Sequence, residues 1–379
     1  MAKGKILVWL KEQGYDVVCF MADVGQEEDF EAAKKKALKI GAEKVYVEDL
    51  REEFIEKYCW PEVGTSLARP VIAKAQIEVA KKENCVAVSH GCTGKGNDQV
   101  RFELAFYALQ PSIKVIAPWR NPEFYDRFPG RQALLDYAAE KGIPVTSTKS
   151  KPWSMDENLA HCSYEAGILE DPNTTPPSDM WQLTTSPLSA PSTPQAFTLH
   201  FAKGIPSKLE YIEENGQEKT ITKALDLFLA VNAIAKKHGV GRIDIYETPG
   251  LTCLRSAHID LEGLVMDREV RSLRDTFVTP AYSKALYNGL YFSPEREYLH
   301  DCVVASQGVV NGRVRCRVYK GLLTILGRDS TTEKLYDMDE SSMDAIAGFS
   351  PQDTAGFIGV QAIRLKKYGS TKAERGEEL

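Results

Sequence analysis

The chain has no apolar run that approaches a membrane span, and its start, Met1-Ala2-Lys3-Gly4-Lys5, lacks the long apolar core of a secretory signal. A cytoplasmic address with no membrane partner is the expectation. The eight cysteines form no C-x-x-C pair and no small disulfide frame, and the six histidines show no metal-type spacing. Neither structural zinc nor any other protein-held metal is expected. Positive charge is short as well: 47 Lys and Arg stand against 53 Asp and Glu, a formal net charge of −6. That argues against a broad nucleic-acid-binding surface and leaves room only for a local basic patch. No internal repeat is present.

What is present is an ordinary globular composition, 43% hydrophobic and 26% charged over 379 residues, enough for two domains with real cores. Small-molecule chemistry is the natural expectation. Up to about residue 150, amphipathic helical stretches such as Glu28 to Ile40 and Ile72 to Lys82 alternate with short apolar strands at Asp16 to Met21, Lys44 to Val47, Cys85 to Val88, Lys114 to Ala117 and Ile143 to Thr146. Such alternation predicts an α/β fold with a doubly wound parallel sheet. Yet the chain opens on a helix, Ile6 to Gln13, where such a domain normally begins with a strand and a phosphate loop.

Between about Asp171 and Gln195 the composition turns to Pro, Ser and Thr, which reads as a connector. Beyond it, Ala196 to Phe201, Lys208 to Ile212 and Lys219 to Ile221 read as a meander, and Ala224 to Lys237 as a strong amphipathic helix ending at Gly239. Further helices are expected at Leu261 to Arg274, Pro280 to Tyr287 and near Gln361 to Tyr368, and strands at Arg313 to Val318 and Leu322 to Leu326. The division is therefore residues 1–170 as a nucleotide-binding domain, 171–195 as linker, 196–350 as a second mixed α+β domain, and 351–379 as a C-terminal arm with a solvated, charge-rich tail.

The most informative run is Ser89-His90-Gly91-Cys92-Thr93-Gly94-Lys95-Gly96-Asn97-Asp98-Gln99-Val100-Arg101. Its glycines let backbone N–H groups turn toward a ligand, and the helix that follows offers a partially positive N-terminus to phosphate or carboxylate. Asn97 and Arg101 are four apart, so a helix sets an amide and a guanidinium on one face beside Thr93 and Asp98. The loop leaves the carboxyl end of the strand Val86-Ala87-Val88, where open α/β sheets bind ligands. A plain turn with helix-cap residues is the structural alternative.

Four other runs stand with it: Ile116-Ala117-Pro118-Trp119-Arg120, Trp153-Ser154-Met155-Asp156-Glu157-Asn158-Leu159, Tyr164-Glu165-Ala166-Gly167-Ile168-Leu169-Glu170 and His238-Gly239-Val240-Gly241-Arg242-Ile243-Asp244. Together they resemble the argininosuccinate synthase family from about Ile6 to about Tyr368. The resemblance implies a Rossmann-like ATP-pyrophosphatase fold and a ligase that joins citrulline to aspartate with ATP and Mg2+, through citrullyl-AMP, releasing AMP and pyrophosphate. It further implies a homotetramer, with the run Ile363 to Tyr368 reaching a neighbour. Carried over residue by residue, it places Ala22, Ser89, His90, Gly91, Thr93, Gly94, Lys95 and Gly96 around ATP. Thr93, Asn97 and Asp98 fall at aspartate, and Ser66, Asn97, Arg101, Ser154, Ser163 and Tyr246 at citrulline. No catalytic base stands out. The bland alternatives are that Ser154 only caps a helix opening at Met155 and that Tyr246 is only core.

The chain also departs from the family. The family's first strand and its Ser-Gly-Gly-Leu-Asp-Thr-Ser loop have no counterpart, since Met1 to Lys5 runs straight into Ile6. Val63 likewise meets Gly64 without the segment carrying a citrulline tyrosine, and Ile245 meets Tyr246 without one carrying a citrulline glutamate. Losing ligand loops alone while keeping their flanks predicts breaks at those junctions, with consecutive Cα atoms farther apart than the usual ~3.8 Å. Within enzymes the runner-up is another ATP-pyrophosphatase, thiolating or amidating, against which the acidic charge and the lack of paired cysteines count. From a different class, a non-catalytic amino-acid-binding homologue draws support only from the absent phosphate loop.

Overall fold

The computed structural model describes residues 3–60, 67–93, 96–144, 153–341 and 351–376. Residues 1–333 form one compact unit and 334–379 another.

In the first unit α1 (Lys3–Glu12) opens the chain, with Ile6, Trp9 and Leu10 at helical spacing and buried with Phe124, Phe128 and Tyr137. β1 (Val18–Asp23) passes through α2 (Phe30–Lys39) to β2 (Lys44–Asp49), its parallel partner; Asp29 caps α2 by accepting from the Ala32 N–H at 2.9 Å. α3 (Ala68–Lys82) leads to β3 (Ala87–Ser89), and α4 (Asp98–Leu109) carries the chain to β4 (Lys114–Ile116), again in parallel. α5 (Arg131–Glu140) follows. The expected alternation of helix and parallel strand is present, but among the described residues the strands form two separate parallel pairs rather than one sheet. Ile143 and Pro144, expected to begin a fifth strand, are irregular, and the rest of that stretch lies outside the described residues.

The expected breaks are not found at the two described junctions. Lys5 and Ile6 are successive residues of α1, and Ile245 lies in the turn that delivers Tyr246 to its strand. The Val63/Gly64 junction lies outside the described residues.

Beyond residue 150, β5 (Ser154–Glu157) and β6 (Cys162–Glu165) form a hairpin. Ser154 therefore opens a strand, and the helix considered at Met155 does not form. After the Pro, Ser and Thr stretch come β7 (Gln195–Ala202), β8 (Ile205–Ile212) and β9 (Glu218–Ile221), then α6 (Ala224–Lys237). The short strands β10 (Arg242–Ile243) and β11 (Tyr246–Glu247) follow, then α7 (Pro249–Val265), α8 (Arg268–Leu273), α9 (Thr279–Tyr287) and α10 (Pro294–Gln307). The helix expected at Leu261 to Arg274 instead begins at Pro249, whose fixed φ suits a first helical position, and is interrupted at Met266. There Asp267 caps a new helix through the N–H groups of Glu269 and Val270, at 2.9 and 3.1 Å. α10, with its Ser293 cap, was not among the expected helices.

β12 (Gly312–Tyr319) and β13 (Leu322–Asp329) complete a five-stranded antiparallel sheet, in the order β13-β12-β7-β8-β9. Its strands alternate: Phe197, Leu199 and Phe201 on β7 and Val314, Cys316 and Val318 on β12 are buried. They share one core with Leu227, Phe228 and Val231 of α6, Leu254 and Leu261 of α7, and Phe54, Ile55, Tyr58 and Val71. Val71 lies in the first turn of α3, so this core also fixes where Arg69 stands. A second sheet, ordered β10-β11-β6-β5, brings together strands far apart in the chain.

In the second unit α11 (Pro351–Glu374) is far longer than the run expected near Gln361 to Tyr368 and takes in Lys372, Ala373 and Glu374 of the charged tail. Phe357, Ile358, Val360, Ile363, Leu365 and Tyr368 are exposed on it. Among the described residues no helix is long and apolar enough to cross a membrane.

Candidate active site

The glycine-rich run leaves the carboxyl end of β3, as its apolar strand predicts. Ser89 ends that strand; its carbonyl accepts from the Gln76 side chain at 3.2 Å, and its hydroxyl is buried with no hydrogen-bond partner among the described residues. His90, 8% exposed, takes the backbone N–H of Cys92 on Nδ1 at 3.3 Å, which leaves Nε2 to meet Glu103 at 2.8 Å. The same carboxylate accepts twice from Arg120, at 2.5 and 2.6 Å. The Pro118-Trp119-Arg120 run is thus tied to the end of β3 through Glu103. Gly91 lies against α1, since a Cβ there would stand 3.2 Å from Ile6 Cδ1. Thr93 and Gly96 are exposed, whereas Gly94, Lys95 and Ser66 lie outside the described residues. Ala22 packs against the main core on β1, and its carbonyl accepts from Gln26 at 2.8 Å. Among the described residues no hydrogen bond ties it to the glycine turn.

α4 starts as expected, with Asn97 at its N-cap position and Asp98 in its first turn. Asn97 spends its side chain not on a cap but on the hydroxyl of Tyr287, to which it donates at 3.0 Å. Arg101 donates to the Tyr287 carbonyl at 3.1 Å, stacks over that ring at 5.2 Å and reaches Asp98 at 3.4 Å. Tyr287, which sequence reasoning did not select, therefore orients both. The fit is tight: Gly289 has φ +81°, and a Cβ on it would lie 2.8 Å from Arg101 Cα. Gly289→Ala is expected to cost about 2 kcal/mol in urea unfolding, from left-handed strain and a backbone clash that no rotamer relieves.

The second half of the site is the sheet β10-β11-β6-β5. Ser163 is paired with Asp156 on one side and Tyr246 on the other, and Ser154 lies two residues before Asp156. Directly paired residues share a face, and so do residues two apart on a strand, so Ser154, Asp156, Ser163 and Tyr246 all project from the same side. The sheet thus joins three of the five sequence runs. Beneath Tyr246, Glu247 is fully buried and accepts from the backbone N–H groups of Gln182, Leu183 and Thr184 at 2.9, 3.0 and 2.8 Å. The Thr184 hydroxyl at 2.6 Å and the Tyr164 hydroxyl complete its shell. Burial pushes this carboxyl upward, but the donors outweigh it and hold it below its usual range.

Arg69 links the two halves. Its guanidinium donates to Asp98 on α4 at 2.8 Å and also to Asp156 on β5. Burial opposes that charge, yet the two carboxylates raise its pKa above the ordinary value. Burial likewise raises the Asp98 carboxyl, and Arg69 with Arg101 more than offsets this, holding it low. Arg69 sits inside the run Gly64 to Pro70 that flanks one departure from the family, a signal that would have pointed to it. The result is a surface where an amide, two guanidinium groups, two carboxylates, two serine hydroxyls and a phenol converge, which suits zwitterions with several polar ends.

Comparison with known proteins gives the chain's family. Residues 3–144 match the model of an arginosuccinate synthase N-terminal HUP domain, and residues 153–368 that of the arginosuccinate synthase C-terminal domain. The chain is thus a two-domain enzyme in which a HUP domain precedes a synthase domain. It is 60% identical to the argininosuccinate synthase of Saccharomyces cerevisiae over 400 residues, covering 99% of this chain and 95% of that protein. The argininosuccinate synthases of Schizosaccharomyces pombe and Homo sapiens are 57% and 48% identical, over 95% and 96% of this chain and 93% of each relative. The chain belongs to the argininosuccinate synthase family and is a ligase. The yeast match spans more positions than the chain has residues, so that relative carries segments inside the matched span with no counterpart here.

Proposed function

We propose that this chain joins L-citrulline to L-aspartate using ATP, forming argininosuccinate through citrullyl-AMP and releasing AMP and pyrophosphate. The observation that carries the reading is the Arg69 bridge, which brings the first turn of α4 up to the face of Ser163 and Tyr246. A ureido carbon is a poor electrophile because nitrogen lone pairs feed it. Its oxygen therefore attacks the α-phosphorus first, and AMP becomes the group that aspartate's amine displaces. The protein's task is positioning and charge stabilisation.

In this reading Asn97, Arg101, Ser154, Ser163, Tyr246 and the undescribed Ser66 hold citrulline, with Arg101 suited to its α-carboxylate. Thr93, Asn97 and Asp98 hold aspartate, and Asp98 accepts from its amine. Ala22, Ser89, His90, Gly91, Thr93 and Gly96, with the undescribed Gly94 and Lys95, are assigned to ATP, a role supported by the Ser89 hydroxyl, which is buried at the end of a parallel strand with no hydrogen-bond partner among the described residues. Mg2+ accompanies the ATP phosphates in this reading, as the family implies.

The pairs β1–β2 and β3–β4 are read as the two sides of one doubly wound parallel sheet. The domain division at 1–170, 171–195, 196–350 and 351–379 goes with that reading. A cytoplasmic homotetramer, with the exposed apolar residues of α11 against a neighbour, completes it. Purified protein is expected to release pyrophosphate from ATP only with citrulline present and to form argininosuccinate only after aspartate is added. Pyrophosphate release indifferent to citrulline overturns the proposal.

A further inference from the structure

His161 lies on the face built by Asp156, Ser163 and Tyr246, and nothing above uses it. It is 6% exposed, and its Nδ1 is buried with no hydrogen-bond partner among the described residues. Its backbone is pinned on both sides: Asn158 Oδ1 accepts from the His161 N–H at 3.2 Å, and the Asn158 N–H donates to the His161 carbonyl at 2.9 Å. The backbone that carries the ring is therefore held by a tight turn. Its centroid lies 6.3 Å from that of Tyr246, tilted by 36°. Asp156 and Arg69, the members of the bridge between the two halves of the site, are the charges that act on it. Buried polar nitrogens are rarely left unmade in proteins without a reason, and this one belongs to a ring set beside Tyr246.

We propose that His161 contacts citrulline and accepts a proton from its ureido group in the first chemical step. This rests on the citrulline reading above. The step balances as follows. The ureido oxygen forms a bond to the α-phosphorus, the bond from that phosphorus to pyrophosphate breaks, and pyrophosphate leaves with the electron pair. The ureido group becomes cationic as it loses electron density to oxygen, and one N–H proton moves to the His161 imidazole. In the second step aspartate's neutral amine bonds to the same carbon and AMP leaves with its electron pair, which already gives the guanidinium product, and the imidazolium passes its proton to the departing AMP phosphate. A general base must be neutral before it acts, and burial supplies that condition: it lowers the imidazole pKa below its usual value, Arg69 pushes the same way, and Asp156 opposes them.

The test is citrulline-dependent pyrophosphate release in H161F, which keeps the ring's bulk without its nitrogens, and in H161N, which keeps a polar atom near the Nδ1 position but cannot take up a proton. Both are expected to lose about 100-fold or more in kcat, with a smaller change in KM for citrulline in H161N than in H161F. In the unsubstituted protein kcat/KM for citrulline should fall as pH drops through a value below 6.5, and that limb should be missing from both variants. Rates within threefold of the unsubstituted protein, with the limb retained, overturn the inference. If neither variant folds, 15N resonances of the His161 ring in the unsubstituted protein decide: they are expected to shift when citrulline is added, and unmoved resonances overturn it. Unsubstituted protein without citrulline-dependent release would instead overturn the functional reading itself.

Discussion

Arg69→Met is expected to lower kcat/KM for aspartate about 1,000-fold while costing only about 2 kcal/mol of stability. The two numbers differ because the guanidinium does two jobs. As a stabilising group it makes charge-assisted hydrogen bonds to Asp98 and Asp156, each of the kind that contributes about 1.5–3 kcal/mol. Both carboxylates are more than a third exposed, so water recovers part of that when the arginine is gone. As a positioning group it holds the first turn of α4 against the second sheet, and small misplacements of groups that orient reactants cost about 100-fold or more in rate. Arg69 also keeps the Asp98 carboxyl below its usual range, so the pair stabilises the fold above about pH 4 and loses that contribution as pH falls through the lowered value. In the variant this acid-side loss should shrink. Steady-state kinetics with varied aspartate, and urea unfolding between pH 3 and 7, check both parts. A variant with unchanged kinetics would remove Arg69 from the site.

The largest effect on stability is expected from Glu247→Ala, a loss of about 5 kcal/mol in urea unfolding. Alanine would leave three backbone N–H groups and the hydroxyls of Thr184 and Tyr164 facing an empty space, and buried donors left unmade cost about 1–3 kcal/mol each. Water entering the cavity returns some of this, which is why the expected total is well below the sum. Glu247→Gln should lose about half as much, because one of its amide atoms presents donors to donors. In the parent protein this carboxyl is held low by the same donors, so its contribution is present above about pH 4.3 and is lost as pH falls through the lowered value. Because Glu247 follows Tyr246 directly, the substitution should also loosen the phenol that faces Ser163. A loss under 1 kcal/mol would show that the loop at 182–184 is held by something else.

Much of the local structure was legible in the chain. The helix at Ala224 to Lys237 was expected with the ends it has, because a sharp apolar period and a terminal glycine mark it without help from elsewhere. The strands at 195–221 and 312–329 were found within a few residues, because period-two alternation of buried and exposed positions is a local property. The hairpin at Ser154 to Glu165 was missed because two four-residue strands with polar side chains carry almost no period. The helix from Pro249 was misjudged because its buried residues surround much of its circumference, which blurs the period on which a boundary is judged.

The sequence by itself determined the family, the helix at Ala224 to Lys237 and the strands of the five-stranded sheet, and the placing of Asn97, Asp98 and Arg101 on one helical turn. These follow from neighbours in the chain, whose geometry is set by backbone dihedrals and short spacings. Only the tertiary structure decided that Arg69 bridges Asp98 to Asp156, 87 residues away, and that Tyr287 orients Arg101 from 186 residues away. It likewise left a nitrogen of His161, beside Tyr246, without a hydrogen-bond partner among the described residues. Such contacts are set by where tertiary packing brings α3, α4 and the second sheet together, and no local pattern encodes that meeting. Arg69 alone reads as one more charged residue on an amphipathic helix; with two carboxylates on one nitrogen it becomes the joint between the halves of the site.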